Sequence, residues 1–364
     1  MVEELLFELD IAHKMIALTR DNAGNNGTYC NHLHKSLLQT YDDADVPSRL
    51  RLNPLMRFLG RKSYIPCLAH VINLICDNVL KTLKSSSVKD AQDLLDKMAL
   101  SKQDVFSQDN ARGAVAKVRI LILWVLRHSQ RQQDWAKVSP NKKVEYDVET
   151  RWNSTHDMIQ AFLKLRKEWD KFIADHPQLE ALAISDHEYI LLAQIVKVLN
   201  PFKVHTSSVL EECATLMSSL AIYWDIDDLL DDIKESAGDY TDIDDGIRQA
   251  MMAGISKYTK YENKMDGQIL HYVAHVLNPR LKTEWIKKQM DSESATAIIR
   301  DVRAFLHQQY PRVVESTLPE LSPKEPPRPK GMSAAEFRIM KSVQSATQRV
   351  IGSDVDRYLD SLVI

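Results

Sequence analysis

Five large apolar residues, Met158, Phe162, Leu165, Trp169 and Phe172, follow one another at intervals of four, three, four and three. This spacing keeps one face of an α-helix apolar over about four turns, and a strand has no use for it. The stripe returns at Leu192, Ile195, Leu199 and Phe202, then at Leu216, Leu220 and Tyr223, and residues 255–278 have room for two more helices. Successive amphipathic helices bury their stripes against one another, so the second half of the chain is expected to be a helical bundle. Glycine is scarce, 10 in 364 residues, which fits a chain with far more helix than strand.

The first half carries what little strand the sequence offers. Met15 to Thr19 is a short apolar run that ends in the polar cluster RDNAGNNG, and Leu33, Leu37 and Leu38 then share a helical face over residues 28–40. That is a strand, a turn and a helix. Residues 62–65 suggest a second strand, with Pro66 at the opening of the helix CLAHVINLICDNVLKTL. In KVEYDV, residues 143–148, Val144, Tyr146 and Val148 alternate with charge, which reads as a third strand running into TRWNST. Residues 117–138 read as one buried helix that turns basic and polar. The expected fold is therefore mainly α with a small β-sheet.

Pro319, Pro323, Pro326, Pro327 and Pro329 crowd residues 317–332, which cannot sustain helix and are expected to form a linker. Short helices are expected at residues 333–348 and 354–362. Four scattered cysteines are too few for a disulfide framework and suit a reducing compartment. The longest apolar run, Ile120 to Leu126, is far short of a membrane span. With a net charge of -3, contact with nucleic acid has to come from local basic patches.

Four places could carry chemistry. Asp21 follows the first strand, where a carboxylate can reach a metal ion over the sheet edge or cap the next helix. Cys67 and His70 share one side of a helix start, at a spacing that supplies half a zinc site or two packing residues. Arg151 and Trp152 pair a guanidinium with an indole at a strand end, which suits phosphate contact and base stacking, or a core tryptophan beside a solvent-facing arginine. The acidic stretch Asp225 to Gly246 fails as a calcium loop. With Gly246 as its turn glycine, Thr241 and Met252 stand where Asp and Glu are needed.

Taken in order, LTRDNAGNN, IPCLAHVINLICDNVL, HSQRQQDW, YDVETRWNSTHDMI and LNPRLKTEW resemble the successive blocks of hobo/Activator-type (hAT) transposases across roughly residues 1–290. The resemblance implies a ribonuclease H-like α/β core interrupted by a large helical insertion. It divides the chain into a partial core over 1–155, an insertion domain over 156–316, the linker over 317–332 and C-terminal helices over 333–364. In that family two aspartates and a glutamate hold Mg2+ or Mn2+ for DNA cleavage. Asp21 resembles the second aspartate and is thereby a candidate metal ligand. Trp152 resembles the tryptophan that stabilises a flipped base, with Arg151 beside it, and Cys67 and His70 resemble a pair near the active site.

The resemblance further implies DNA as partner, a nuclear location, no membrane association, and a homo-oligomer in relatives. The first aspartate and the glutamate are expected to lie beyond the two ends of this chain, together with the dimerisation segment. One aspartate cannot fix two ions, so the chain is expected to bind DNA without cutting it, with no metal productively bound. A domesticated DNA- or protein-binding factor and an unrelated helical scaffold are the other readings.

Overall fold

Most of the described residues lie in helix, and only six enter a strand. A computed structural model describes residues 2–9, 11–21, 24–42, 57–83, 88–101, 113–140, 142, 144–146, 152–210, 216–266, 268–310 and 353–361. In chain order the helices are α1 (Val2–Glu8), α2 (Asn26–Asp42), α3 (Leu68–Thr82), α4 (Val88–Ser101), α5 (Ala114–Leu126), α6 (Ser129–Val138), α7 (Trp152–Lys164) and α8 (Arg166–Ala174). They continue with α9 (Asp186–Leu210), α10 (Leu216–Glu235), α11 (Asp245–Asp266), α12 (Ile269–Val276), α13 (Glu284–Gln289), α14 (Ser292–Gln309) and α15 (Asp354–Asp360). The strands are β1 (Leu18–Arg20) and β2 (Tyr64–Pro66). Residues 1–16, 36–59 and 269–364 make one unit, and residues 17–35 and 60–268 the other.

In the larger unit β1 and β2 pair in parallel, with Leu18 opposite Tyr64, Thr19 opposite Ile65 and Arg20 opposite Pro66. A parallel pair needs a long crossover, and α2 lies within it. The strand expected at residues 15–19 is thus confirmed in shifted form. Residues 15–17 are not in strand, because β2 offers only three partners. The second expected strand likewise moves forward, behind a 3-10 turn at Gly60–Ser63. Gly60 opens that turn at φ +62°, and a Cβ there would stand 2.8 Å from Asn31 Oδ1, so both backbone and space demand glycine.

The third expected strand is corrected over its described part, since residues 144–146 form none; Lys143 and residues 147–150 lie outside the described residues. The chain is drawn elsewhere just before it. Trp135 Nε1 donates to the carbonyl of Lys142, 3.2 Å, and Lys142 Nζ pairs with Glu168, 3.1 Å.

Around the strand pair the larger unit is a stack of helices. α3 packs against α11, α9 and α7, and Gly254 of α11 makes the closest approach. Asn78 Nδ2 of α3 donates to the carbonyl of Ala253, 2.6 Å. The apolar α5 is buried on all sides from Ala114 to Val125 except at Lys117, and its Arg119 donates to Thr155 Oγ1 of α7, 3.0 Å.

The single helix expected over residues 117–138 is corrected to two, α5 and α6, parted where His128 is extended (φ -134°, ψ 130°). Side chains from α6 satisfy the carbonyls freed at that break: Arg131 Nη1 donates to Trp124 O, 3.1 Å, and Gln132 Nε2 to Leu126 O, 2.7 Å. The stripe from Met158 to Phe172 is buried as expected but runs over α7 and α8, with Leu165 at the junction. Phe162 stacks on Trp169 with centroids 4.9 Å apart, and Trp135 lies 4.1 Å from Trp169. Pro201 sits inside α9 without ending it, flanked by the buried Leu199 and Phe202.

In the smaller unit α12, α14 and α15 pack together. Arg303 of α14 pairs with Asp356 and with Asp360, 2.8 Å for the latter, and His307 Nε2 reaches Asp356 at 3.1 Å. Tyr358 donates to the carbonyl of Val276, 3.1 Å. The late block LNPRLKTEW forms the turn between α12 and α13, where Asn278 Oδ1 accepts from Arg280 N at 3.0 Å and Lys282 takes φ +46°. The expected terminal helix is α15. The proline-rich linker and the helix expected at residues 333–348 lie outside the described residues. The protein is thus mainly helical with a two-stranded parallel sheet among the described residues.

Candidate functional site

Asp21 stands one residue beyond β1 and Cys67 one beyond β2, and the amide of Cys67 donates to the carbonyl of Arg20, 2.8 Å. The two carboxyl ends therefore lie side by side, the position where ligands bind in open α/β sheets. Asn26, buried at the first position of α2, holds Asp21 from behind. Its Nδ2 donates to Asp21 Oδ1 at 2.8 Å and to the Asp21 carbonyl at 2.5 Å. Tyr64 of β2 donates its hydroxyl to the same carbonyl, 2.5 Å. The Asp21 carboxylate is exposed, so its backbone is fixed while its side chain meets solvent.

Burial raises the Tyr64 phenol, and the nearby Asp21 charge raises it further, so it remains a donor. Burial also raises the Cys30 thiol, which Arg20 partly offsets. Arg20 itself lies over the Tyr29 ring, 4.5 Å from its centroid. Cys67 is half-buried at the N-cap of α3; burial raises the Tyr223 phenol, and the electrostatic effect of Cys67 raises it further. His70, also half-buried, lies one turn on. Its charge and that of Lys81 act to lower the Asp77 carboxyl, which burial raises overall, and Asn73 donates to Asp77 at 3.0 Å. Cys76 is fully buried, and its thiol is raised well above the usual range.

The residues singled out from sequence are therefore only partly gathered. Asp21 and Cys67 share the strand ends, and His70 follows on α3. Trp152 opens α7 at 3% exposure, and Arg151 lies outside the described residues. No group of three His, Cys, Asp or Glu side chains among the described residues is placed to hold a metal ion. Sequence reasoning missed Asn26 and Tyr64 as the groups that hold Asp21. Asn26 sat in plain view inside RDNAGNNG, but only the strand register brings Tyr64 to it. It also missed Arg119, whose charge on an apolar helix was the available signal.

Residues 65–198 match the family model described as the ZBED1 RNase-like helical domain. The match lies within the larger unit and takes in three of the five sequence blocks. It supports a hAT-like, transposase-derived domain. Among curated proteins the chain is similar to the Talaromyces stipitatus protein named "Putative transcriptional regulator tpeD", 26% identical over 273 residues. The alignment covers 73% of this chain and 30% of that protein, so the chain spans under a third of its relative's length. No solved structure matches.

Proposed function

We propose that this chain is a hAT-type, transposase-derived DNA-binding protein that acts as a nuclear regulatory factor rather than by cutting DNA. The observation that carries the reading is the transposase-type helical domain over residues 65–198, set against a strand end where Asp21 is the acid in place. The curated relative's name points the same way.

A two-ion cleavage centre needs carboxylates that fix both Mg2+ or Mn2+ ions about 3.5–4 Å apart. Asp21 has one carboxylate oxygen bonded by Asn26 and joins no group of three His, Cys, Asp or Glu side chains among the described residues, so these do not fit that pair of ions. In this reading the chain contacts DNA through phosphate-binding cations, with Arg151 and Trp152 as the base-side contacts. Trp152 is buried, so stacking on a base requires the first turn of α7 to open.

The test is binding of a labelled duplex by the purified chain across a potassium chloride series, with nicking followed in parallel in Mg2+ and in Mn2+. Expected are affinity that falls steeply with salt, no nicking, and binding unchanged in Asp21→Ala. Metal-dependent nicking lost in Asp21→Ala would overturn the non-cutting role, and no binding at low salt would overturn the DNA role. Trp152→Phe keeps a buried ring, so lost affinity with the fold retained would support direct contact by Trp152.

A further inference from the structure

Between the C-terminal turn of α8 and the segment that follows it lies a hollow of about 500 Å³, the size of a small-molecule site. Ile173, Ala174, Pro177 and Ile184 form its apolar walls, and Asp170 and Glu180 also line it. The walls are held from several sides. His176 Nδ1 lies 2.7 Å from the carbonyl of Phe172, and Pro177 opens a 3-10 turn pinned by the buried Leu179 and Leu182. At the far end Lys117 Nζ donates to the carbonyl of Ala183, 3.1 Å.

The lining residues include two acids and no cation. Asp170 accepts from the hydroxyl of Tyr189, 2.7 Å, and pairs with Arg166 Nε at 3.7 Å, while Arg166 lies over the Tyr189 ring and pairs more closely with Asp186. Glu180 makes no ion pair or side-chain hydrogen bond among the described residues, and the carbonyl end of α8 adds a negative pole. The nearby ammonium of Lys117 is matched by Glu188 at 2.8 Å. An anion would be repelled here, and a neutral apolar ligand would strip water from Glu180 without replacing it.

We propose that this hollow binds a small organic cation, an ammonium or guanidinium on an apolar body. The body lies against Ile173, Pro177 and Ile184, and the cation reaches Glu180 and Asp170. Nothing in the proposed DNA-binding role requires such a ligand, and none of the strand-end residues lines the hollow.

Phenethylammonium serves as the probe, with 2-phenylethanol as its neutral counterpart, titrated into the full chain labelled with 13C at isoleucine methyls. Expected are saturable shifts centred on Ile173 and Ile184, and binding weakened roughly tenfold or more in Glu180→Gln. The neutral alcohol is expected to bind more weakly by a similar factor. Glu180 is exposed, so Glu180→Gln leaves the fold intact and reports on binding alone. Absent or unsaturable shifts, equal binding of the alcohol, or unchanged affinity in Glu180→Gln would each overturn the proposal.

Discussion

Adding one methyl group at Gly254 is expected to destabilise the larger unit, although the same change in an exposed helix would stabilise it. Alanine in place of glycine gains about 1 kcal/mol of helix propensity. A Cβ at 254 would stand 2.7 Å from Val79 Cγ2 and 3.2 Å from Ile75 Cγ2. Carbon atoms in good contact sit about 3.5–4.0 Å apart, so α3 and α11 have to separate or Val79 has to leave its rotamer. Val79 and Ile75 are both fully buried, which leaves neither anywhere to go. Overpacking of this kind costs about 1–3 kcal/mol and, with both neighbours buried, is expected to outweigh the propensity gain, for a net loss of up to about 2 kcal/mol. Urea unfolding followed by tryptophan fluorescence reads it well, because five of the six tryptophans lie in this unit. The midpoint is expected to fall with the slope unchanged. Val79→Ala removes the obstructing methyls, so the double variant should be more stable than the sum of the singles by about 1 kcal/mol. A midpoint that rises in Gly254→Ala, or two changes that simply add, would refute the argument.

Three further outcomes are expected. Burial lowers the His271 imidazole from 6.5 to about 4, so the unfolded chain takes up this proton first as the pH falls. Its contribution is constant above about pH 6.5 and is lost between there and pH 4, by about 3 kcal/mol, and His271→Phe should flatten that slope in denaturant midpoints. If the slope persists in the variant, another group causes it. Among Cys30, Cys67 and Cys76, a maleimide should label Cys67 first in the native chain, because the other two are fully buried with thiols raised by burial. Peptide mapping that finds Cys76 labelled as fast would contradict the packing of α3. Asn26→Ala removes both bonds to Asp21 from a buried position and should cost about 1–3 kcal/mol in urea unfolding, whereas a negligible change would mean that these two bonds do not hold the strand end.

The helical stripes were legible because burial follows their periodicity directly, as at Phe162, Trp169, Leu199 and Phe202. The breaks between helices were not. No glycine or proline marks the step from α5 to α6, and the caps that close it come from Arg131 and Gln132 after the chain has turned. Three alternating residues, Val144, Tyr146 and Val148, were too few to specify a strand, since a ladder also needs a neighbour. At the strand ends Asp21 and Cys67 could be named from local pattern. Asn26 and Tyr64 could not be assigned their task, because the pairing of residues 18–20 with 64–66 is a property of the fold. Trp152 shows the same limit: its position at a strand-like end was visible, while its burial depends on the helices around it.

The packing of α3 on α11 also has a history in time. The bond from Asn78 to Ala253 joins residues 175 apart in sequence. A ribosome adding 5–20 residues per second would need roughly 9–35 s to deliver that partner after α3 has left the exit tunnel. Through that interval the face carrying Ile75 and Val79 waits without the surface that finally covers it. Recovery of this protein from cells should therefore depend on translation speed and on chaperones that shield a nascent helix, even where the finished fold is stable.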